Sequence, residues 1–595
     1  MKPLWLYHET DVDTGQMSQA MGINTATAKV LAHRGIRTKN SVIKFLRPLK
    51  SYMHDPYLLK DGVKGAEVTL DAIKNDRKIT VYGDYDVDGV SSVVILVNTI
   101  EALGGRAGYY IPGRAEEGYG LNVEAIHHLA RNGTELIITC DNGISSIEEI
   151  RLAKSLGIQV VVIDHHEPGI SEAGQILPEA DAIINPKQVG CEYPFKLLCA
   201  AAISYKFAEL LYKIDDKAAA WEEVENEHLI FAALATVCDI VSLTDENRII
   251  TINGLAALNR GTANTGLNAL LSERDLLHKT IGVFDVGFII GPCINASGRL
   301  DVADLAAELF LLGKGDGTRA RDLAKNLSAL NEERKKLTTD AAERMGEVVG
   351  ELEATGCKVY VMYDEDIPES IAGIVAGRIK DKTHHPVIVL TATREAGLAK
   401  GSARSVRGYN LFEELSKNAV LFTRFGGHEM AAGLTMPVEN IPALRQNLND
   451  RCSLTDYDLT PKVYLDGDLN AKEITMALAR EIGFLQPFGS GNHEPVFAMR
   501  YITCDSVDRI GKDKRTLRFS FSQDEFVLRG IAFGKMDSFT EELVRVHGDA
   551  AAMDWLDGGA ALKPFKVDIA FNIDINEYNG YSSIQLKIVD LTIVA

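Results

Sequence analysis

Three apolar, β-branched runs dominate the first third of the chain, and each stops at a carboxylate. They are KITVYGDYD at 78–86, ELIITCDNG at 135–143 and IQVVVIDHHEPG at 158–169. Helical patterns at 91–102 and 145–156 separate them. Strands alternating with helices predict a parallel α/β sheet. Chemistry in such sheets gathers just beyond the carboxyl ends of the strands. That edge would receive Asp84, Asp86 and Asp88, then Asp141, then Asp164, His165 and His166.

Read as an extended strand end, DYDVD puts three carboxylates on one face, because alternate residues share a side. Like charges on one face repel and call for a cation. Gly83 and Gly89 flank the cluster and permit a tight turn. Carboxylate oxygens with one or two imidazoles suit Mn²⁺ or Mg²⁺ better than a structural zinc. The donors are numerous enough for two ions sharing a carboxylate, an arrangement that serves phosphoryl chemistry. A lone DxD is ordinarily a loop or helix cap, and a lone HH pair is ordinarily surface or core. All three motifs at successive strand ends carry the reading.

Beyond this sheet, helices are expected at 196–214 and 228–238, the second ending at Asp239. A long, highly charged helix from about 303 to 352 has apolar residues at helical spacing and is read as a bridge between two domains. A second α/β unit follows, with KVYVMYD, SIAGIVAGRIKDK, HPVIVLTAT and the glycine-rich GGHEMAAG at 426–433. From about 458 short alternating strands predict a small β-barrel. The partition expected is a lead-in at 1–60, a catalytic domain at 61–300, a connecting helix at 301–352, a substrate-binding domain at 353–455 and a barrel at 456–595.

The 595 residues carry a net charge of −20, which argues against a generally basic nucleic-acid coat or polybasic membrane binder. It leaves room for one basic groove. No run is long and apolar enough to span a bilayer, and MKPLWLYHETDVD lacks the apolar core of a signal peptide. The eight cysteines form no CxxC pair, so a reducing cytoplasm is the expected location.

YGDYDVDGVSS (82–92), CDNG (140–143), DHH (164–166) and CDIVSLTDENR (238–248) resemble the four motifs of the DHH phosphoesterase superfamily. IPGRAEEGYGL (111–121), NPKQVGCEYPFKLLCAAA (185–202), INASGRL (294–300), KGSARS (400–405), GGHEMAAG (426–433) and QPFGSGN (486–492) follow the order of its RecJ-type exonucleases. The resemblance implies an α/β parallel-sheet DHH catalytic domain, joined by a long helix to a smaller α/β DHHA1-type domain, then an OB-like β-barrel. It implies two divalent ions, Mn²⁺ or Mg²⁺. Asp86 and Asp88 would hold one ion each, with Asp84 a nearby or alternative ligand. Asp141 would bridge them, His165 and Asp239 would complete the second, and His166 would meet the scissile phosphate or leaving group. Asp164 would orient the histidines from behind.

For substrate, the resemblance points to Asn295 and Arg299 as phosphate contacts, to Ser402, Arg404 and Ser405 in the GSARS stretch, and to Gly426, Gly427 and His428. Arginine suits phosphate because its fork binds two oxygens at once. Local charge agrees: 394–424 holds six Arg/Lys against three Glu, and 500–535 eight Arg/Lys against five Asp/Glu. The second stretch interleaves Phe519, Phe521, Phe526 and Phe533, half or more of them expected in the barrel's core. Two departures stand out: Cys293 where the family usually has Arg, and IPES at 367–370 where many relatives carry an aromatic-His-Gly pattern.

The activity implied is 5′→3′ hydrolysis of single-stranded DNA to mononucleotides, in recombination and repair. Implied partners are single-stranded DNA and, by family alone, a single-strand-binding protein and a helicase. No membrane partner is expected, and the chain is read as a monomer. A DHH phosphodiesterase acting on nano-RNA or cyclic dinucleotides, and a catalytically inactive replication-fork scaffold, are the alternatives.

Overall fold

The structure, a computed structural model, describes residues 2–113, 117–118, 120–172, 174–300, 304–313, 315–556, 562–578 and 580–594. The chain forms two compact units, residues 50–459 and residues 1–49 with 460–595.

In the first unit, β1 (Lys78–Tyr82) leads through a short loop into α1 (Val87–Ala102), then β2 (Arg106–Tyr110), β3 (Leu136–Cys140), β4 (Gln159–Ile163) and β5 (Ala182–Ile184). These strands make one all-parallel sheet in the order β2-β1-β3-β4-β5. Alternate residues serve two different cores. Ile79, Val81, Ile138, Cys140, Val161 and Ile163 face one; Tyr82, Ile137, Val160 and Val162 face the other. A sheet covered on both faces explains why these strands read as unbroken apolar runs.

Helix α1 is buried all round: Val90, Val93, Val94, Leu96 and Ile100 show no exposure. Valine lowers helix propensity by only a few tenths of a kcal/mol per residue. Burying one such side chain contributes roughly 1.5–3 kcal/mol, so packing decides the conformation. Helices α2 (Ala200–Ile214), α3 (Ala218–Cys238) and α4 (Gly291–Arg299) belong to the same domain.

Helix α5 (Gly317–Ala354) follows a short helix at Leu305–Leu311, so the bridge expected from about 303 starts later; 301–303 lie outside the described residues. Its 38 residues span about 57 Å. Ala320, Leu323, Ala324 and Leu327 join the core of the parallel-sheet domain, whereas Ala341, Met345 and Leu352 join that of the next. That next domain comprises β6 (Tyr360–Tyr363), α6 (Glu369–Thr383), β7 (Val387–Ala392), β8 (Leu398–Arg404), β9 (Arg424–His428) and β10 (Ala431–Pro437). The strand order is β9-β10-β8-β7-β6; only β6 and β7 run parallel.

In the second unit, β11 (Phe497–Ile510), β12 (Thr516–Gln523), β13 (Phe526–Ala532), β14 (Phe565–Tyr578) and β15 (Tyr581–Ile593) close into a barrel. The ring runs β11-β12-β13-β15-β14 and returns to β11, with β13 and β15 parallel. Phe519 and Phe521 fill its core, whereas Phe526 and Phe533 face outward. The lead-in expected at 1–60 does not stand alone. Leu4–Tyr7 pairs in parallel with Lys462–Leu465, and Val30, Leu31 and Phe45 enter the barrel's core.

Leu327→Ala removes a fully buried side chain where α5 meets the first core. It is expected to lower unfolding free energy by roughly 2–5 kcal/mol, measured by urea denaturation; a loss below about 0.5 kcal/mol would contradict this packing.

Candidate active site

The strand order places a topological switch between β1 and β3, where neighbouring strand ends open a crevice. Asp84 follows β1, Asp141 follows β3, and Asp164, His165 and His166 follow β4. Asp239 arrives from the C-terminal end of α3.

DYDVD is not the extended segment expected. Asp86 caps α1: its Oδ1 accepts from the N–H groups of Asp88 and Gly89 at 2.9 and 3.1 Å. Asp88 therefore sits in the first turn of the helix. Gly89 makes this turn possible, since a Cβ there would lie 2.4 Å from the Asp84 carbonyl oxygen. Asp88 is fully buried and accepts from the N–H groups of Ala200 and Ala201, both at 2.7 Å, at the start of α2. A helix N-terminus favours such a carboxylate.

Three groups of donors result, each with its ligand atoms within 4.8 Å of one another: Asp84, Asp86 and Asp141; Asp88, His165 and Asp239; and Asp141, His165 and His166. His165 Nε2 lies 3.2 Å from Asp141 Oδ1 and 3.7 Å from Asp88 Oδ2. Its Nδ1 lies 3.8 Å from Asp239 Oδ2. Asp141 joins the first group to the third and takes a left-handed backbone, φ 62°. Ile240, directly after Asp239, is left-handed too at φ 57°. For a β-branched residue that conformation is strained, as is common at functional sites.

Burial, with the negative charge of neighbouring aspartates, pushes Asp88 up to about 7 and Asp239 to about 8, and Asp141 well above the usual carboxylate range. Burial and the adjacent His166 hold His165 down to about 3, which keeps its imidazole neutral and able to ligate. Burial alone would raise Asp164, but its bonds from His166 and from backbone N–H groups bring it below the usual range. Burial acts to lower His166, yet its 2.8 Å hydrogen bond with Asp164 outweighs this and raises it. Asp164 also accepts from the N–H groups of His165, His166 and Ile144. It is thus committed to holding the loop. Carboxylates with neutral imidazole form a hard donor set suited to Mg²⁺ or Mn²⁺. The neighbouring Cys140 thiol is pushed far up by burial and stays out of that set.

The residues expected to hold substrate divide. Asn295 Oδ1 accepts from the Val87 N–H at 3.1 Å and so fixes the carboxylate loop. Arg299 Nη1 donates to the Ser370 carbonyl at 2.8 Å, in the IPES stretch. Both of these last residues border a cleft of about 590 Å³ that Arg394, Lys400, Glu369 and Glu395 also line. Lys400 pairs with Glu369. Ser405 is buried and donates to the Tyr409 carbonyl at 2.7 Å, so it holds a turn rather than a ligand. Ser402 and Arg404 lie against α6, where a Cβ on Gly373 would come within 2.9 Å of Arg404 Nη2. Gly426, Gly427 and His428 are exposed on β9, an edge strand. Gly427 has φ 151°, and a Cβ would meet the Ala431 carbonyl oxygen at 2.4 Å.

Cys293 is fully buried, with Asn331 Nδ2 of α5 3.5 Å from its sulfur, so this departure lies in the core. Part of IPGRAEEGYGL, residues 114–116 and 119, lies outside the described residues. One role was missed: Asn185 donates to the His166 carbonyl at 2.9 Å and braces the DHH loop. Its sequence signal was its place at the head of the 185–202 motif, just after a strand.

A parallel-sheet domain with this acid and histidine cluster, a second α/β domain and a five-stranded barrel define a DHH phosphoesterase. Family models agree: the DHH family N-terminal domain matches 78–236, the DHHA1 domain 356–454 and the RecJ OB domain 465–590. Proteins named single-stranded-DNA-specific exonuclease RecJ match the length of the chain. That of Bacillus subtilis strain 168 is 34% identical over 598 residues, covering 100% of this chain and 71% of its own. That of Escherichia coli K12 is 32% identical, covering 94% of each. The crystal structure of RecJ in complex with Mn²⁺ from Thermus thermophilus superposes with a TM-score of 0.80 at 25% identity, over 99% of this chain and 79% of that one. The chain belongs to the RecJ family.

Two outcomes are expected. Without a cation, Asp88, Asp141 and Asp239 bind protons more tightly folded than unfolded, so the stability they carry falls as pH rises from about 4 to about 8. Mn²⁺ displaces those protons. Its thermal upshift, read by differential scanning fluorimetry, should be larger at pH 8 than at pH 6; the reverse order would contradict the site. Asp164→Asn removes the charge that accepts the His165 and His166 N–H groups and holds the loop bearing the ligand His165, so it should weaken Mn²⁺ binding about 10–100-fold by titration calorimetry.

Proposed function

We propose that the chain is a divalent-metal-dependent exonuclease of single-stranded DNA that works from the 5′ end and releases mononucleotides. The observation that supports it most is the convergence of donors from four separate segments at one switch point, with Asp141 common to two groups. Two divalent ions, Mn²⁺ or Mg²⁺, would supply charge neutralisation and an activated water for phosphodiester hydrolysis. Asp84, Asp86 and Asp141 would hold one ion; Asp88, His165 and Asp239 the other. His166, half-exposed and steadied by Asp164, is placed to donate to a phosphate oxygen or the leaving group.

Arg299, Arg394 and Lys400 give the cleft three cations against two acids. Arg404 and the open backbone at Gly426 and Gly427 extend the anion-binding surface along the second α/β domain. In this reading the chain acts as a monomer in the cytoplasm, in DNA recombination and repair, alongside a single-strand-binding protein and a helicase. Among the described residues no helix is long and apolar enough to cross a membrane.

Digestion of 5′-labelled and 3′-labelled single-stranded oligomers with Mn²⁺ or Mg²⁺ tests this, with a blunt duplex as control. Immediate release of the 5′ label as a mononucleotide is expected, absent on the duplex. Asp141→Ala should lose more than about a hundredfold, since even a residue behind the ligands costs about 10–100-fold. Cleavage confined to dinucleotides, or none with either metal, would overturn the proposal.

A further inference from the structure

Phe284 and Phe288 are 66% and 68% exposed and stack on each other, ring centroids 4.9 Å apart and planes 24° from parallel. Large apolar side chains so exposed and so paired ask for a partner. They stand on a helical stretch that runs from Val283–Asp285 through a π-helical turn, Val286–Ile290, into α4. Such wide turns are rare and frequently mark functional sites.

The buried side of this stretch packs on the end of α3. Cys238 Sγ lies 3.8 Å from the Val286 carbonyl oxygen, and a Cβ on Gly291 would come within 2.4 Å of that sulfur. Asp239 is the next residue, followed by Ile240, 74% exposed. The less buried side carries Phe284, Phe288, Pro292, Asn295 and Arg299 at steps of three and four residues. Asn295 holds the Val87 N–H of the carboxylate loop, and Arg299 borders the cationic cleft. At about 1.5 Å per residue, Phe288 is about 10 Å and Phe284 about 16 Å along the axis from Asn295. One helix thus presents the catalytic loop at one end and two bare aromatic rings at the other.

We propose that Phe284 and Phe288 form a stacking platform for the bases of a single strand whose backbone runs from the carboxylate cluster along this helix. The inference rests on the exonuclease reading and names a subsite for it. Aromatic faces accept any base, because every base has a π-face, and an exonuclease that digests arbitrary sequence needs such tolerance. A paired duplex keeps its bases stacked inside and offers none to the rings, so the platform also selects single strands. Bases, and not a protein segment, are favoured as occupant because the rings share the less buried side of this helix with Asn295, which holds the carboxylate loop, and with Arg299, which lines the cleft.

The test is equilibrium binding of a 3′-fluorescein oligothymidylate to the full-length protein in Ca²⁺ buffer, read by anisotropy. Phe284→Ala/Phe288→Ala is expected to weaken binding about tenfold or more. Phe284→Tyr/Phe288→Tyr, which keeps the rings, should restore it and serves as the folding control. On a strand with abasic residues at the second to fourth positions from the 5′ end, wild type and the alanine variant should bind alike. Equal binding of the two to the intact strand, the same loss on both strands, or no binding by wild type would overturn the platform. Ring-dependent binding without hydrolysis in Mn²⁺ would instead sink the exonuclease reading and leave the platform standing.

Discussion

Mutual repulsion of buried carboxylates is the constraint around which the parallel-sheet domain is arranged. Two unit charges 4.8 Å apart repel by about 3 kcal/mol at an effective dielectric constant of about 20. A few such pairs equal the roughly 5–15 kcal/mol that stabilise a typical fold. Asp84, Asp86, Asp88, Asp141 and Asp239 cannot all be charged there without opposite charge or protons. The fold answers in part with dipoles: α1 begins under Asp86, and α2 begins under Asp88. Asp164 is answered by four donors and stays ionised. What the dipoles leave unanswered is concentrated on Asp88, Asp141 and Asp239, whose raised affinity for protons measures how much positive charge the site lacks.

The second α/β domain is tied to the domain that holds this site by α5. The helix contributes side chains to two cores, so neither domain can shift without unpacking it. Cys293 and Asn331 lie within this shared packing. Cys293, where the family usually has Arg, is a buried neighbour of α5 in this chain. Arg299 reaches the second domain directly at Ser370, inside the other departure. A carbonyl acceptor needs only backbone, which is why this contact exists with IPES in place of an aromatic-His-Gly pattern.

Much of this was legible in the sequence because it depends on short-range rules. Strand ends were visible because apolar runs stop at acids, and the bridge because its apolar residues recur at helical spacing. Other features depend on what is distant in the chain. Leu4–Tyr7 finds its partner at Lys462–Leu465, far along the chain and with no local signal. The capping role of Asp86 hid behind the alternation of DYDVD, which fits a strand equally well. Asn295 and Ser405 were assigned from polarity and resemblance, and neither says that the side chain already bonds backbone, at Val87 and at Tyr409. Phe284 and Phe288 sit in VFDVGFII, an apolar stretch with nothing local to say that these two rings are exposed.

A chain with a net charge of −20 is an unusual host for a polyanion. The conflict is smaller than it looks, because salt screens charges beyond about 8 Å at physiological ionic strength. What counts is local: Arg299, Arg394 and Lys400 along the cleft, and ions held by the carboxylates themselves. The acids at the strand ends therefore work for binding once a cation sits between them and the phosphate. The stacking proposed on Phe284 and Phe288 would add attraction that carries no charge at all. On that proposal, charge on the strand would be engaged chiefly where a bond is to be broken, and apolar contact would serve the bases beyond it.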